Sequence, residues 1–173
     1  MDSTQASLIA ITILTPLTPY LVKAGEALAQ EVGKAVFAQA KTLYTTIRRK
    51  FEQTDDVQAK ITLEMLDKAS DAEKQQLAER IVQQAQSDVI FDQVLTAQVN
   101  DLNALLFECL QKKFLIRDLK QVYFRLGIGW DDLTGEMASR DVKAMELITH
   151  VQARERMPDL IKAMWVVYPG LRC

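Results

Sequence analysis

The sequence has very few of the residues on which most catalytic, metal and disulfide sites depend. Its 173 residues include a single histidine, His150, and two cysteines, Cys109 and Cys173. Nucleophilic catalysis needs a base and an orienting group beside the nucleophile, and zinc sites need several His or Cys ligands. Two cysteines are also too few for a disulfide framework, which favours a reducing cytoplasm. We therefore expect a non-enzymatic, cytoplasmic protein with no catalytic, cofactor or metal site.

An excess of either charge is also missing, as are the compositions of fibrous and disordered chains. Twenty-one Lys and Arg against 23 Asp and Glu give a net charge of −2, so no cationic field attracts nucleic acid. Six Gly and four Pro exclude a collagenous or linker-dominated chain. Hydrophobic residues make up 49% of the chain, enough for a core, and no segment shows the alternation of a strand. The sequence predicts an all-α protein without a nucleic-acid partner.

One segment near the amino terminus lacks charge altogether. No charged residue occurs between Asp2 and Lys23. A secretory signal would begin with basic residues, and Pro16 and Pro19 interrupt the run that a stable transmembrane helix needs. Two interpretations remain: a buried core helix followed by a proline-containing turn, or a segment that inserts into or lies on a membrane. In the second case the side chains that contact lipid include Leu8, Ile11 and Leu14.

The next segment has the spacing of a long helix. Apolar or small residues recur three and four apart near residues 20–52, which predicts one helical stripe. Gly25, Ala29 and Gly33 lie four apart on one face, and such small side chains let a second backbone approach closely. The stripe predicts tight packing in a soluble bundle, or helix association if the segment enters a membrane.

Capping residues divide the rest of the first half into helices. Thr54, Asp55 and Asp56 mark a candidate helix start, Ser70 with Glu73 matches a capping box, and Ser87 with Asp88 precedes another apolar stripe. Together these elements predict an amino-terminal helical bundle over residues 1–97.

The helical pattern restarts near Asp101 and continues as short elements. Gly127 is placed to end one helix, because glycine readily adopts the left-handed conformation of a helix terminus. Ser139 is a candidate cap for the next helix, and Pro158 lies in the first turn of the last one. The expected result is a second bundle of five or six short helices over residues 100–173.

Five runs in this second bundle carry a family resemblance. They are FLIRDL at 114–119, YFRLGI at 123–128, WDDLTGE at 130–136, VKAMELI at 142–148 and RERMPDLI at 154–161. In this order they resemble the effector-associated, death-like domains of bacteria over about residues 100–170. Two positions depart from the family pattern: Glu155 stands where a Gly is expected before the last helix, and Thr134 stands where Pro is usual. The amino-terminal bundle shows no comparable resemblance.

The resemblance implies an adaptor that assembles through its death-like domain in bacterial immunity or programmed cell death. Its partners would carry a matching domain, on a protease, a nucleotide-switch ATPase or another effector, and it would also form a homo-oligomer. Two other functions stay open. In the first, the amino-terminal bundle is a membrane-disrupting effector whose residues 6–22 insert on oligomerisation at the inner membrane. In the second, the protein is a regulator that holds a partner effector inactive.

Charged residues supply the candidate interaction site for such assembly. Basic and acidic surfaces that meet between two copies would form a ring or a filament, because the contact is not self-complementary. The alternative is that these charges are ordinary solvated ones. The candidate basic patch consists of Lys112, Lys113, Arg117 and Lys120. The candidate acidic connection consists of Asp131, Asp132 and Glu136, next to Trp130 as an aromatic anchor.

Overall fold

The computed structural model describes residues 1–22, 33–133, 135 and 137–168. All regular secondary structure in these residues is helical, which confirms the predicted all-α class. The helices are α1 (Ser3–Val22), α2 (Lys34–Glu52), α3 (Val57–Glu64), α4 (Asp71–Ser87), α5 (Val89–Lys112), α6 (Ile116–Arg125), α7 (Arg140–Ala153) and α8 (Met157–Val167).

Side-chain caps set the starts of α3, α4 and α5 as the sequence predicts. The carboxylate of Asp56 accepts the N–H of Ala59 at 3.0 Å, and that of Asp88 accepts the N–H of Phe91 at 3.0 Å. At the start of α4 the Ser70 hydroxyl accepts the N–H of Glu73, while the Glu73 carboxylate accepts the N–H of Ser70 at 2.7 Å. Each cap satisfies a backbone donor that the first helical turn leaves unpaired.

The charge-free segment forms helix α1, which packs its buried side chains into the core of the bundle. The expected proline-containing turn is wrong, because the helix continues through Pro16 and Pro19 to Val22. A proline inside a helix costs about 3 kcal/mol, since it removes a backbone donor and crowds the preceding turn. Packing offsets that cost here: α1 lies against α2, α4, α5 and α8, and Ile13, Leu14 and Leu17 are fully buried.

The predicted helix near residues 20–52 is only partly described. Its second part is α2, which begins after Gly33 and buries Val36, Ala40, Leu43 and Ile47 on one stripe. Gly33 itself is buried at the amino-terminal cap of α2. Gly25 and Ala29, the other members of the small-residue ridge, lie outside the described residues.

Helix α5 crosses the region in which the sequence pattern restarts. It is continuous over 24 residues and buries Leu95, Val99, Leu102 and Leu106 in turn. It packs against α1, α2 and α4 on one side of the molecule and against α7 on the other. Helices of both predicted bundles therefore share one hydrophobic core, to which α8 also contributes through its contact with α1.

Two helices end in the same left-handed turn. After α6, Gly127 has φ +70°, and the N–H of Ile128 returns to the carbonyl of Tyr123 at 3.0 Å. After α7, Glu155 has φ 56°, and the N–H of Arg156 returns to the carbonyl of Val151 at 2.9 Å. Both turns are Schellman motifs, in which glycine is the favoured residue. The glutamate therefore adopts the conformation that the expected glycine would have.

Candidate protein interface

Helix α6 turns one face to the core and the other to solvent. Its inner face buries Leu119, Val122 and Tyr123. Its outer face carries two apolar side chains, Ile116 and Phe124, and the Phe124 side chain is 84% exposed. A strongly exposed phenyl ring leaves a large apolar area in water that a partner can bury. We call this outer surface the α6 face, which consists of Ile116, Arg117, Lys120, Gln121 and Phe124.

Two predicted basic residues belong to the α6 face. The Arg117 side chain is 79% exposed, and its Nε lies 3.6 Å from Asp118 Oδ1. An ion pair this exposed contributes little, so the guanidinium remains accessible to a partner. The Nζ atom of Lys120 lies 5.2 Å from the ring centroid of Trp130. The face therefore combines exposed apolar surface with positive charge.

The other two predicted basic residues lie on a different element, at the end of α5. The Nζ atom of Lys112 lies 2.5 Å from Glu108 Oε1, and this hydrogen bond lowers the pKa of the Glu108 carboxyl. Lys113 forms the carboxy-terminal cap of α5, where its N–H donates to the carbonyl of Cys109 at 2.8 Å. The four cations are thus divided between the end of α5 and the α6 face.

Trp130 is partly buried and packs inside its own chain. Its ring meets that of Tyr123 edge-on, with the centroids 5.1 Å apart. Lys143 is fully buried; its Nζ lies 4.5 Å from the Trp130 centroid and donates to the Trp130 carbonyl. The Tyr123 hydroxyl donates to the Lys143 carbonyl at 2.8 Å. Burial, with a smaller contribution from Glu146, raises the pKa of Tyr123 to about 12.

The acidic connection has two described members. Asp131 is exposed, and its Oδ1 lies 3.8 Å from the Lys143 Nζ. Asp132 accepts the N–H of Gly129 at 2.6 Å, which folds the connection back on itself. Glu136 lies outside the described residues. Of the two described acids, Asp132 is engaged by a backbone N–H, whereas the carboxylate of Asp131 faces solvent.

The predicted membrane-contacting residues occupy the interior of the bundle. Ile11 and Leu14 of α1 are buried, whereas Leu8 is partly buried. Leu8 and Ile11 also line a cleft between α1 and α8 with a volume of about 670 Å³. In this arrangement half of the apolar 18-residue window of α1 is buried inside the bundle.

Chemistry-bearing side chains form no cluster in the described residues. These residues contain no group of three or more His, Cys, Asp or Glu that could hold a metal ion. His150 lies on α7 against the guanidinium of Arg154. Partial burial, followed by the charges of Arg154 and Arg156, lowers the pKa of this imidazole.

Comparison with known proteins identifies the region that contains the α6 face. Residues 106–169 match the family model of effector-associated domain 7. The chain contains an effector-associated domain. The match includes the end of α5 and all of α6, α7 and α8, and over these residues it confirms the resemblance to effector-associated domains. An effector-associated domain indicates a role in bacterial effector or signalling systems. No curated protein and no solved structure matches the chain.

Sequence reasoning missed two exposed apolar residues on the outer face of α6. Ile116 and Phe124 fall outside the stripe that Leu119, Val122 and Tyr123 form, and both lie beside basic residues in the sequence. Apolar side chains off the buried stripe of an amphipathic helix were the available signal. Phe124 directly follows Tyr123, however, and spacing alone does not decide which of two adjacent aromatic rings the core will cover.

Proposed function

We propose that the chain is a non-enzymatic adaptor whose effector-associated domain binds a matching domain through the α6 face. The observation that carries this proposal is the exposed Phe124 ring, which has Ile116 and Lys120 on the same face. Central aromatic side chains that fill a pocket on the partner contribute most of the binding energy in many interfaces. Burial of the phenyl group would contribute about 2 kcal/mol.

The charges of the α6 face support a partner surface of opposite sign. Arg117 and Lys120 would steer an acidic surface and fix its orientation, because complementary charges affect association rate and specificity more than affinity. The exposed carboxylate of Asp131 on a second copy is one candidate acidic group. A contact between the α6 face of one copy and Asp131 of another joins two different surfaces, so it would extend into a ring or a filament.

The proposed partners are proteins that carry a matching domain on a protease, a nucleotide-switch ATPase or another effector. The proposed setting is an immunity or cell-death pathway in the bacterial cytoplasm. The family of the domain supports this setting, and the exposed apolar and basic side chains of the α6 face support binding to a partner. The adaptor would bring the partner's effector into an assembly.

Sedimentation of the full chain over a concentration series tests the proposal. We expect self-association in the native chain and its loss in Phe124→Asp. Ile90→Asp is the matched control, because Ile90 is also a strongly exposed apolar residue but lies outside the matched domain. Circular dichroism should show the same helix content in all three proteins. Self-association that is equally strong in Phe124→Asp would reject the α6 face.

A further inference from the structure

Helix α1 has the length and composition of a segment that spans a membrane. Its 20 residues carry no charge, and their mean hydropathy reaches 1.4 over an 18-residue window. At 1.5 Å per residue the helix is about 30 Å long, which equals the thickness of the hydrocarbon layer. A buried core helix can share these properties, so length and composition do not decide the matter.

The hydroxyl groups of α1 provide an independent observation. Ser7, Thr12, Thr15 and Thr18 each donate to the carbonyl oxygen four residues earlier in the same helix, at 2.7 to 2.8 Å. In the described residues, one side-chain hydrogen bond from residues 3–19 reaches another helix, and it joins Ser3 to Asp92 at 2.7 Å. The hydroxyl groups of Ser7, Thr12, Thr15 and Thr18 would therefore keep their hydrogen bonds if the helix left the bundle for lipid.

The two prolines of α1 interrupt its backbone hydrogen bonds without ending the helix. Pro16 and Pro19 lack the N–H groups that would pair with the carbonyls of Thr12 and Thr15. Proline is more frequent in transmembrane helices than in soluble ones. In the bundle, the second half of α1 is therefore held by packing against its neighbours rather than by a complete backbone ladder.

The effector-associated domain supplies one of those neighbours. Helix α8 belongs to the matched residues and packs against α1. The contact is incomplete, because a cleft of about 670 Å³, also lined by α4, lies between Thr12 and Pro16 on α1 and Lys162 and Trp165 on α8. A change in the position of α8 would thus act directly on α1.

We propose that α1 is a membrane-inserting helix that the bundle covers in its closed state, and that α2, α4, α5 and α8 hold in place. Opening of these contacts, beginning with the incomplete one to α8, exposes α1, whose partner is then the hydrocarbon layer of a lipid bilayer. This inference requires the contact with α8 to open but does not require the α6 face to bind a partner, so the two proposals can fail separately.

Dye release from vesicles of phosphatidylcholine and phosphatidylglycerol tests the proposal with the full chain. Trp165→Ala removes a large side chain from the contact between α1 and α8, and we expect it to release dye several-fold faster than the native chain. Thr12 lies at the middle of α1, where a charge would sit at the centre of the bilayer. Adding Thr12→Lys should therefore reduce insertion about a hundredfold.

Thr42→Lys is the matched control, since it adds the same charge at an exposed position on α2. The double variant Trp165→Ala with Thr42→Lys should release dye as fast as Trp165→Ala alone. If circular dichroism shows that Trp165→Ala is unfolded, Trp165→Leu is used in its place, because it keeps an apolar side chain at this position. Release that persists with Thr12→Lys would overturn the proposal, because α1 would not be the inserting segment. An absence of release from a folded Trp165 variant would overturn it as well.

Discussion

The Nζ atom of Lys143 lies 4.5 Å above the ring of Trp130 and donates to the carbonyl of the same residue. The two residues are 13 positions apart, and the contact joins α7 to the connection that follows α6. Lys143 is fully buried, which lysine rarely is unless its charge is stabilised by partners. The contact therefore fixes the connection, including exposed Asp131, next to the α6 face.

Replacement of this lysine should destabilise the effector-associated domain. Lys143→Met keeps the length of the side chain but leaves the Trp130 carbonyl without this donor and removes the cation from the ring. We expect the free energy of unfolding to fall by about 2 kcal/mol, because a buried hydrogen bond from a charged group is lost. Urea unfolding measures the change. Lys112→Met is the control and should change stability by less than about 0.5 kcal/mol, since the Lys112 side chain is exposed.

The raised pKa of Tyr123 predicts a pH dependence of stability at alkaline pH. Below pH 10 the phenol is protonated in both states, so it adds no pH dependence. From pH 10 to about 12 the unfolded chain releases the proton while the folded chain retains it, and the stability contributed by this group declines. The native chain should therefore lose stability more steeply with pH than Tyr123→Phe. Equal slopes in urea titrations across this interval would contradict the prediction.

Glu155 offers a stabilising substitution. Its φ of 56° is unfavourable for a residue with a Cβ atom and favourable for glycine. We expect Glu155→Gly to raise the free energy of unfolding by about 1 kcal/mol, measured by urea unfolding. Glu155→Ala is the matched control: it removes the same carboxylate but keeps the Cβ, so it should bring no such gain. A similar effect from both variants would point to the charge instead of the backbone.

Charge reversal on the α6 face tests the basic part of the proposed interface. Arg117→Glu with Lys120→Glu should abolish self-association and leave the helix content unchanged, because both side chains are exposed. Lys34→Glu with Lys41→Glu changes the net charge equally at exposed sites on α2, and this variant should still associate. Sedimentation of both double variants provides the comparison. Undiminished association of the first variant would exclude these two cations from the interface.

Several features of the fold follow from local sequence. Asp56, Ser70 and Asp88 start helices because their side chains can reach backbone donors two or three residues ahead, wherever the rest of the chain lies. Gly127 ends α6 for an equally local reason, the low cost of a positive φ in glycine. The family resemblance also rests on such short-range patterns, and so it was visible without coordinates.

The candidate site was predicted less completely, because it depends on contacts between distant residues. Arg117 and Lys120 were named from the sequence, but Phe124 was not. Tyr123 and Phe124 are adjacent aromatic residues, and the structure buries Tyr123, whose hydroxyl donates to the carbonyl of Lys143 on another helix. Trp130 was expected as an anchor, and its partly buried ring is instead engaged by Tyr123 and Lys143.

By itself the sequence determined the all-α class, the helix caps and the effector-associated domain, since helical spacing and capping chemistry act within a few residues. Only the tertiary structure decided that α1 continues through Pro16 and Pro19. Local preference favours a turn there, and burial against four other helices outweighs it. The tertiary structure likewise decided which aromatic ring of α6 remains exposed, because core packing covers one side of a helix and leaves the other in solvent.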